Sequence, residues 1–297
     1  MTFKVADWIR HPNYGEGQIA EDRGDKYLVQ FVTAGERLML KTAISLPGQP
    51  PHPGFTFEKR RSSGSPRFRV IQPKKEPPPS FDHLVKRFLD VFEDGFDGAS
   101  FDRRERQFKV EAAELLQSTL SKPEFSSLLE DGKFEEIGSR ARRVIQKTNL
   151  IFRNEIIKIT EDLKHEAFQR AFALGLEQVL SEAGPEETRF TSFVDVLTQG
   201  QSATWTIATY FQFLNSGGEK MFMKPAVVKK MANSLNIALN YRAAPNWLTY
   251  CKLQELAAQV DSELRVRGLK PRSGIDVQGF IWSAIRIEEG KYAKEEA

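Results

Sequence analysis

The apolar positions of this chain change period twice. Between residues 3 and 46 they fall in short, partly alternating runs: Trp8-Ile9-Arg10-His11, Gly17-Gln18-Ile19-Ala20, Tyr27-Leu28-Val29-Gln30-Phe31 and Arg37-Leu38-Met39-Leu40. Turn formers separate them, at Pro12-Asn13-Tyr14-Gly15, Asp22-Arg23-Gly24-Asp25 and Ala34-Gly35. Such runs between Gly, Pro, Asn and Asp predict β-strands joined by tight turns. Four or five strands in so short a stretch predict a small closed barrel, because closure removes the exposed edges of a sheet with little core. Residues 47–79 then lose the alternation. Nine of the 15 prolines fall between residues 47 and 80, which predicts an extended, poorly packed linker. One part of it has a second option: Phe55–Lys59 and Arg67–Ile71 flank Ser62-Ser63-Gly64-Ser65, a pattern compatible with a hairpin over 55–71.

From Ser80 the period is helical. Phe81, Leu84, Val85, Phe88, Leu89 and Phe92 form one stripe, with Ser80 placed to cap it. Further helical stretches are predicted over 101–121, 123–130, 133–148 and 150–182, where Gly184-Pro185 ends the pattern. Shorter helices follow over 188–215, and Gly217-Gly218 breaks them. Lys224-Pro225 opens a helix over 225–235, with proline at its favoured first position. Stretches 246–267 and 275–288 complete the helical part, and the break at Gly184-Pro185 predicts two helical domains, 80–184 and 185–297.

Charge sharpens this division. Residues 1–46 carry six basic and six acidic side chains, and residues 81–297 carry 30 and 32. Residues 47–80 carry seven Lys/Arg against Glu58 and Glu76, so the excess positive charge of the whole chain lies there. The basic residues are Lys59, Arg60, Arg61, Arg67, Arg69, Lys74 and Lys75, interleaved with Phe55, Phe57 and Phe68. Basic side chains mixed with aromatic rings suit phosphate contact with base stacking, and these seven are the candidate nucleic-acid-binding residues. A solvated linker kept extended by its own charge accounts for the same run. No apolar run approaches the roughly 20 residues that cross a bilayer. Cys251 stands alone, and residues 1–7 lack a basic-then-apolar signal, which together predict a cytoplasmic chain without membrane contact.

The stretch Val5-Ala6-Asp7-Trp8-Ile9-Arg10-His11-Pro12-Asn13-Tyr14-Gly15-Glu16-Gly17-Gln18-Ile19 resembles the Tudor-like domain, an SH3-type barrel, at the C-terminus of UvrD/PcrA-type DNA helicases. His11, Tyr14, Gly15 and Gly17 match its strand-end histidine, aromatic and Gly-x-Gly. Phe31 fits its third strand and Gly35-Glu36-Arg37-Leu38 the following turn and strand. The resemblance implies docking on RNA polymerase or a repair complex, with Arg10, His11, Tyr14, Lys26 and Arg37 as candidate partner-binding residues. It does not extend to a motor, since the chain has no Gly-x-x-x-x-Gly-Lys-Ser/Thr phosphate loop. Met221–Pro225, Arg242–Tyr250 and Ile275–Trp282 resemble a helical domain of uncharacterised bacterial proteins, which implies no activity.

Catalytic and cofactor chemistry is not legible. His11, His52, His83 and His165 are scattered without ligand spacing, so no metal site is expected. Asp94-Gly95-Phe96-Asp97-Gly98 lacks the acid spacing of a calcium loop. Cys251 reads as a structural thiol. Trp8, Tyr14, Tyr27 and Phe31 suit a small core better than a cage for a methylated cation. The expected protein is therefore α+β and modular: a barrel over 1–46, a linker over 47–79 and helices beyond. Its expected role is that of a non-enzymatic adaptor of a nucleic-acid-processing complex. The alternative is an enzyme or effector, of phage-defence type, whose site lies unrecognised among the helices.

Overall fold

A computed structural model describes residues 2–51, 55–60, 67–71 and 77–292, with backbone alone for Thr56, residues 58–60 and residues 67–71. It divides into two compact units, 1–77 and 78–297.

In the first unit, strands β1 (Trp8–His11), β2 (Gly15–Arg23), β3 (Lys26–Phe31), β4 (Gly35–Leu40) and β5 (Leu46–Pro47) form one antiparallel sheet in the order β4-β3-β2-β1-β5. Alternation explains its inner face. Ile9, Ile19, Tyr27, Val29 and Phe31 point to one side and are buried, with Phe3 and Ile44 packed among them. The expected closed barrel is corrected to an open sheet. β5 is two residues long and ends in Pro47, which has no N–H to donate, so β1 gains little more ladder there, and β4 lies at the opposite edge. The sheet is not bare on its outer side. Trp8 lies there against Phe55 and Phe57, with ring centroids 5.5 and 5.8 Å away. Leu28 and Gln30, on the same face, are also buried. The segment expected as a linker thus supplies a second layer: β6 (Thr56–Arg60) pairs with β7 (Arg67–Ile71) in a two-stranded ribbon.

The two motif glycines are required by different physics. Gly15 sits at φ +72°, a conformation that glycine adopts without a Cβ penalty. Gly17 has ordinary dihedrals, but a Cβ there would lie 2.7 Å from Phe31 Cδ1 and 2.9 Å from Val29 Cγ1. Both substitutions to alanine are expected to destabilise the first unit by about 1 kcal/mol or more, through strain at Gly15 and overpacking at Gly17. Urea melts of the two variants test this; wild-type midpoints for both would overturn it.

The second unit is helical: α1 (Phe81–Leu89), α2 (Ala99–Phe101), α3 (Gln107–Thr119), α4 (Lys122–Glu130), α5 (Phe134–Gln146), α6 (Arg153–Asp162), α7 (Glu166–Ser181), α8 (Glu186–Gln199), α9 (Trp205–Asn215), α10 (Pro225–Ser234), α11 (Trp247–Val266) and α12 (Gly274–Glu288). Ser80 caps α1 as expected, its hydroxyl accepting from His83 N at 3.2 Å. Every residue from Trp205 to Leu214 is buried, and α12 is buried almost as completely, so these two helices form the centre. Their ends meet closely: a Cβ on Gly274 would collide with the carbonyl oxygen of Gly218. The segments 80–184 and 185–297 share one continuous core and lie within one unit, because α9 packs on α3, α7 and α8, and α12 packs on α1.

Two expected helices are interrupted. The stretch 150–182 breaks between α6 and α7, where buried Asp162 accepts from Gln201 N at 2.8 Å and Leu163 O accepts from Gln169 Nε2 at 2.8 Å. The stretch 101–121 contains a π-helical turn, Asp102–Arg106, between α2 and α3. No described helix is long and apolar enough to cross a membrane.

Candidate functional site

The sheet brings together three of the five expected partner-binding residues. His11 ends β1 and stacks on Tyr14, with centroids 4.7 Å apart. Tyr14 leans on Phe31 at 5.3 Å, and the Arg37 guanidinium lies 5.9 Å from the Tyr14 ring. His11 Nδ1 accepts from Asn13 N at 3.2 Å, which leaves Nε2 to carry the ring proton in the neutral form. Arg10 instead extends into solvent and pairs with Glu16 at 3.4 Å. Lys26 lies opposite Leu40 at the far end of β3, away from this patch. The aromatics considered for a cage do not face one another as a set. Tyr27 and Phe31 are inner-face core, Tyr27 donating to Phe3 O at 2.6 Å, whereas Trp8 is on the outer face.

Of the seven candidate nucleic-acid contacts, Lys59, Arg60, Arg67 and Arg69 fall on the ribbon, and Arg61, Lys74 and Lys75 lie outside the described residues. The register pairs Arg60 with Arg67 and Glu58 with Arg69, so the three arginine positions share one face with Glu58, whereas Lys59, opposite Phe68, falls on the other. Phe57 pairs with Val70 on the other, which is the face seated on Trp8. Phe55 and Phe57 anchor the ribbon, so the expectation that they stack on bases is withdrawn.

The helical unit holds an ionic centre that the sequence reading missed. In the π-helical turn, Glu105 and Arg106 are neighbours in sequence and both buried. Arg106 donates from Nε and Nη2 to the two oxygens of Asp276, at 2.7 and 2.8 Å, from Nη2 to Phe96 O at 2.7 Å, and from Nη1 to Asp102 at 2.6 Å. Burial alone would lower the Arg106 pKa, but its hydrogen bonds to Asp276 and Asp102 outweigh this and hold it above the usual value. Asp276, wholly buried, also accepts from Arg272 N at 2.7 Å. Glu105 accepts from Lys109 Nζ at 3.2 Å and from the Tyr292 hydroxyl at 2.7 Å. Lys109 has no exposed surface, and burial pulls its pKa down despite Glu105. Gly279 lets α12 approach, since a Cβ there would lie 2.9 Å from Phe101 Cζ.

Beside this centre stands Lys224, the residue before α10, with 5% of its surface exposed. Its Nζ lies 4.4 Å from the ring centroids of both Phe152 and Trp282. Burial pulls its pKa down to about 8; Glu155 opposes this, while Arg286 and Lys109 add to it. One signal was present in the sequence, the charge of Asp276 inside the apolar pattern Ile275–Ile281; the run Asp102-Arg103-Arg104-Glu105-Arg106, charged throughout, gives none. Among the described residues, no group of three His, Cys, Asp or Glu is placed to hold a metal ion.

No protein family, curated protein or solved structure matches the chain.

Proposed function

We propose that this chain is a non-enzymatic adaptor of a nucleic-acid-processing complex. Its first unit docks on a protein partner, and its basic ribbon contacts nucleic acid without sequence preference. The observation that carries this reading is the ribbon: three arginines share one register face, opposite the Phe57–Val70 pair that faces Trp8. Held on a paired ribbon, these positions lose less backbone freedom on binding than they would in a linker. The His11–Tyr14–Arg37 patch on the same unit, half-buried at His11 and Tyr14 and exposed at Arg37, supports the protein-docking half.

Phosphate contact releases counterions, so affinity for random duplex should fall steeply with salt. Seven contacts give a log–log slope no steeper than about −6. Replacing Lys59, Arg60, Arg67 and Arg69 together by glutamine should cost at least about tenfold in affinity near 50 mM salt and flatten the slope by about 3–4. The assay is fluorescence anisotropy on random single- and double-stranded oligonucleotides. Equal binding by both proteins, or none by either, would remove the nucleic-acid half of the proposal. A second reading, that the helical unit carries an enzyme or effector site, is favoured by the buried Glu105, Lys109 and Lys224.

A further inference from the structure

We propose that Lys224 is the anchor of an oxyanion site in the helical unit, taking the phosphate or carboxylate group of a small ligand. A lysine ammonium has three donors and no acceptor. Lys224 is 95% buried by its 5% exposure, and its Nζ, which keeps a narrow contact with solvent, forms no hydrogen bond or ion pair with a described residue. Phe152 and Trp282 attract the charge through their ring faces but offer no lone pairs comparable to an oxygen's. A buried cation left in this state is costly unless something pairs with it.

The neighbouring carboxylates are committed elsewhere. Glu155 accepts from Thr206 Oγ1 at 2.7 Å and from Phe152 N at 3.1 Å, closing the first turn of α6. Glu105 is held by Lys109 and Tyr292. Neither hydrogen-bonds Lys224, although both face it electrostatically, as do Lys109 from α3 and Arg286 from α12. Arg286 brings a second cation to the same ring: its Cζ lies 5.2 Å from the Trp282 centroid, and its buried Nε has no hydrogen-bond partner. Its Nη1 is spent on Glu289 at 2.7 Å. Ser283 Oγ, next to Trp282, is likewise buried and unpartnered. Lys224 also stands at the N-cap of a ten-residue helix that has no side-chain cap, so the positive end of that dipole adds to the field. Access needs little: Phe152, one of the two rings covering Nζ, is itself 53% exposed.

An oxyanion beside Nζ would supply the missing acceptors and hold the ammonium protonated. Binding should therefore weaken as pH rises through about 8, where the unliganded lysine loses its proton. The test is calorimetric titration and thermal melting of the full chain at pH 7, with inorganic phosphate or acetate replacing chloride at matched ionic strength. Saturable binding and a raised melting temperature with either anion support the site, and the anion that binds more tightly identifies the ligand group. Lys224→Met should lose about tenfold or more in affinity. Methionine conserves length and removes a buried charge, so this variant is expected to fold. Lys252→Met, which removes an exposed lysine paired with Glu255, should bind as wild type, and so should the four-glutamine ribbon variant. No response to either anion beyond that to chloride, or full binding by Lys224→Met, would overturn the proposal.

Discussion

Asp276→Ala should cost the helical unit about 3–5 kcal/mol, the range for removing one partner of a buried ion pair. The carboxylate is wholly buried and accepts three hydrogen bonds, two from Arg106 and one from the backbone of Arg272. Its loss leaves the Arg106 guanidinium, 9% exposed, with only Phe96 O and the half-exposed Asp102 as partners. The stranded cation, rather than the lost bonds, dominates the expected cost. That distinction has its own test. Arg106→Met with Asp276→Leu removes both charges, and it should recover most of the loss, because replacing a buried pair is far cheaper than breaking it. Urea unfolding followed by helical circular dichroism reads both values. A loss below about 1 kcal/mol for Asp276→Ala, or a double variant no better than the single, would show that the pair is not what holds α12 against the π-helical turn.

The elements that the sequence announced are those with local causes. Ser80 caps α1 because serine before an apolar stripe has a hydroxyl to offer, and Pro225 opens α10 because its missing N–H costs nothing there. The sheet strands followed from alternation and Gly15 from the sharp turn before β2, whereas the demand on Gly17 comes from Phe31 and Val29 on the neighbouring strand. What stayed hidden was set by distant contacts. The break after Asp162 has neither glycine nor proline; its cause is a carboxylate bonded 39 residues away at Gln201. Openness of the sheet depends on how few residues β5 contributes, which alternation over 37–46 does not report. The ribbon was only one option for 55–71 until Trp8 gave its phenylalanines a surface. The ionic centre was the least legible feature. A helical wheel reads Asp102–Arg106 as solvated charge, and only the π-helical turn puts two consecutive residues of that run into the interior.

Lys224 makes the complementary prediction, a stabilising loss of charge. In phosphate-free buffer at pH 7, Lys224→Met should be more stable than wild type by about 1–3 kcal/mol. The folded-state pKa is about 8, against 10.5 for an ordinary lysine. Below pH 8 the lysine is protonated in both states, and the folded state bears the whole cost of a buried, unpaired ammonium. Between about 8 and 10.5 the unfolded chain keeps its proton while the folded chain has released it, so wild-type stability gains on the variant as pH rises. Above 10.5 both states are neutral and the penalty is gone. The difference corresponds to about 3 kcal/mol, and the cation–π attraction of Phe152 and Trp282, which favours the charged form, offsets part of it. Imperfect packing of the methionine brings the expected gain toward the lower end. Urea melts of both proteins at pH 7, 8, 9 and 10 isolate this lysine, since every other titrating group is common to the pair. A difference that does not shrink across that interval, or a variant less stable than wild type at pH 7, would mean that Lys224 is already paired in the folded chain, and the oxyanion site would lose its main support.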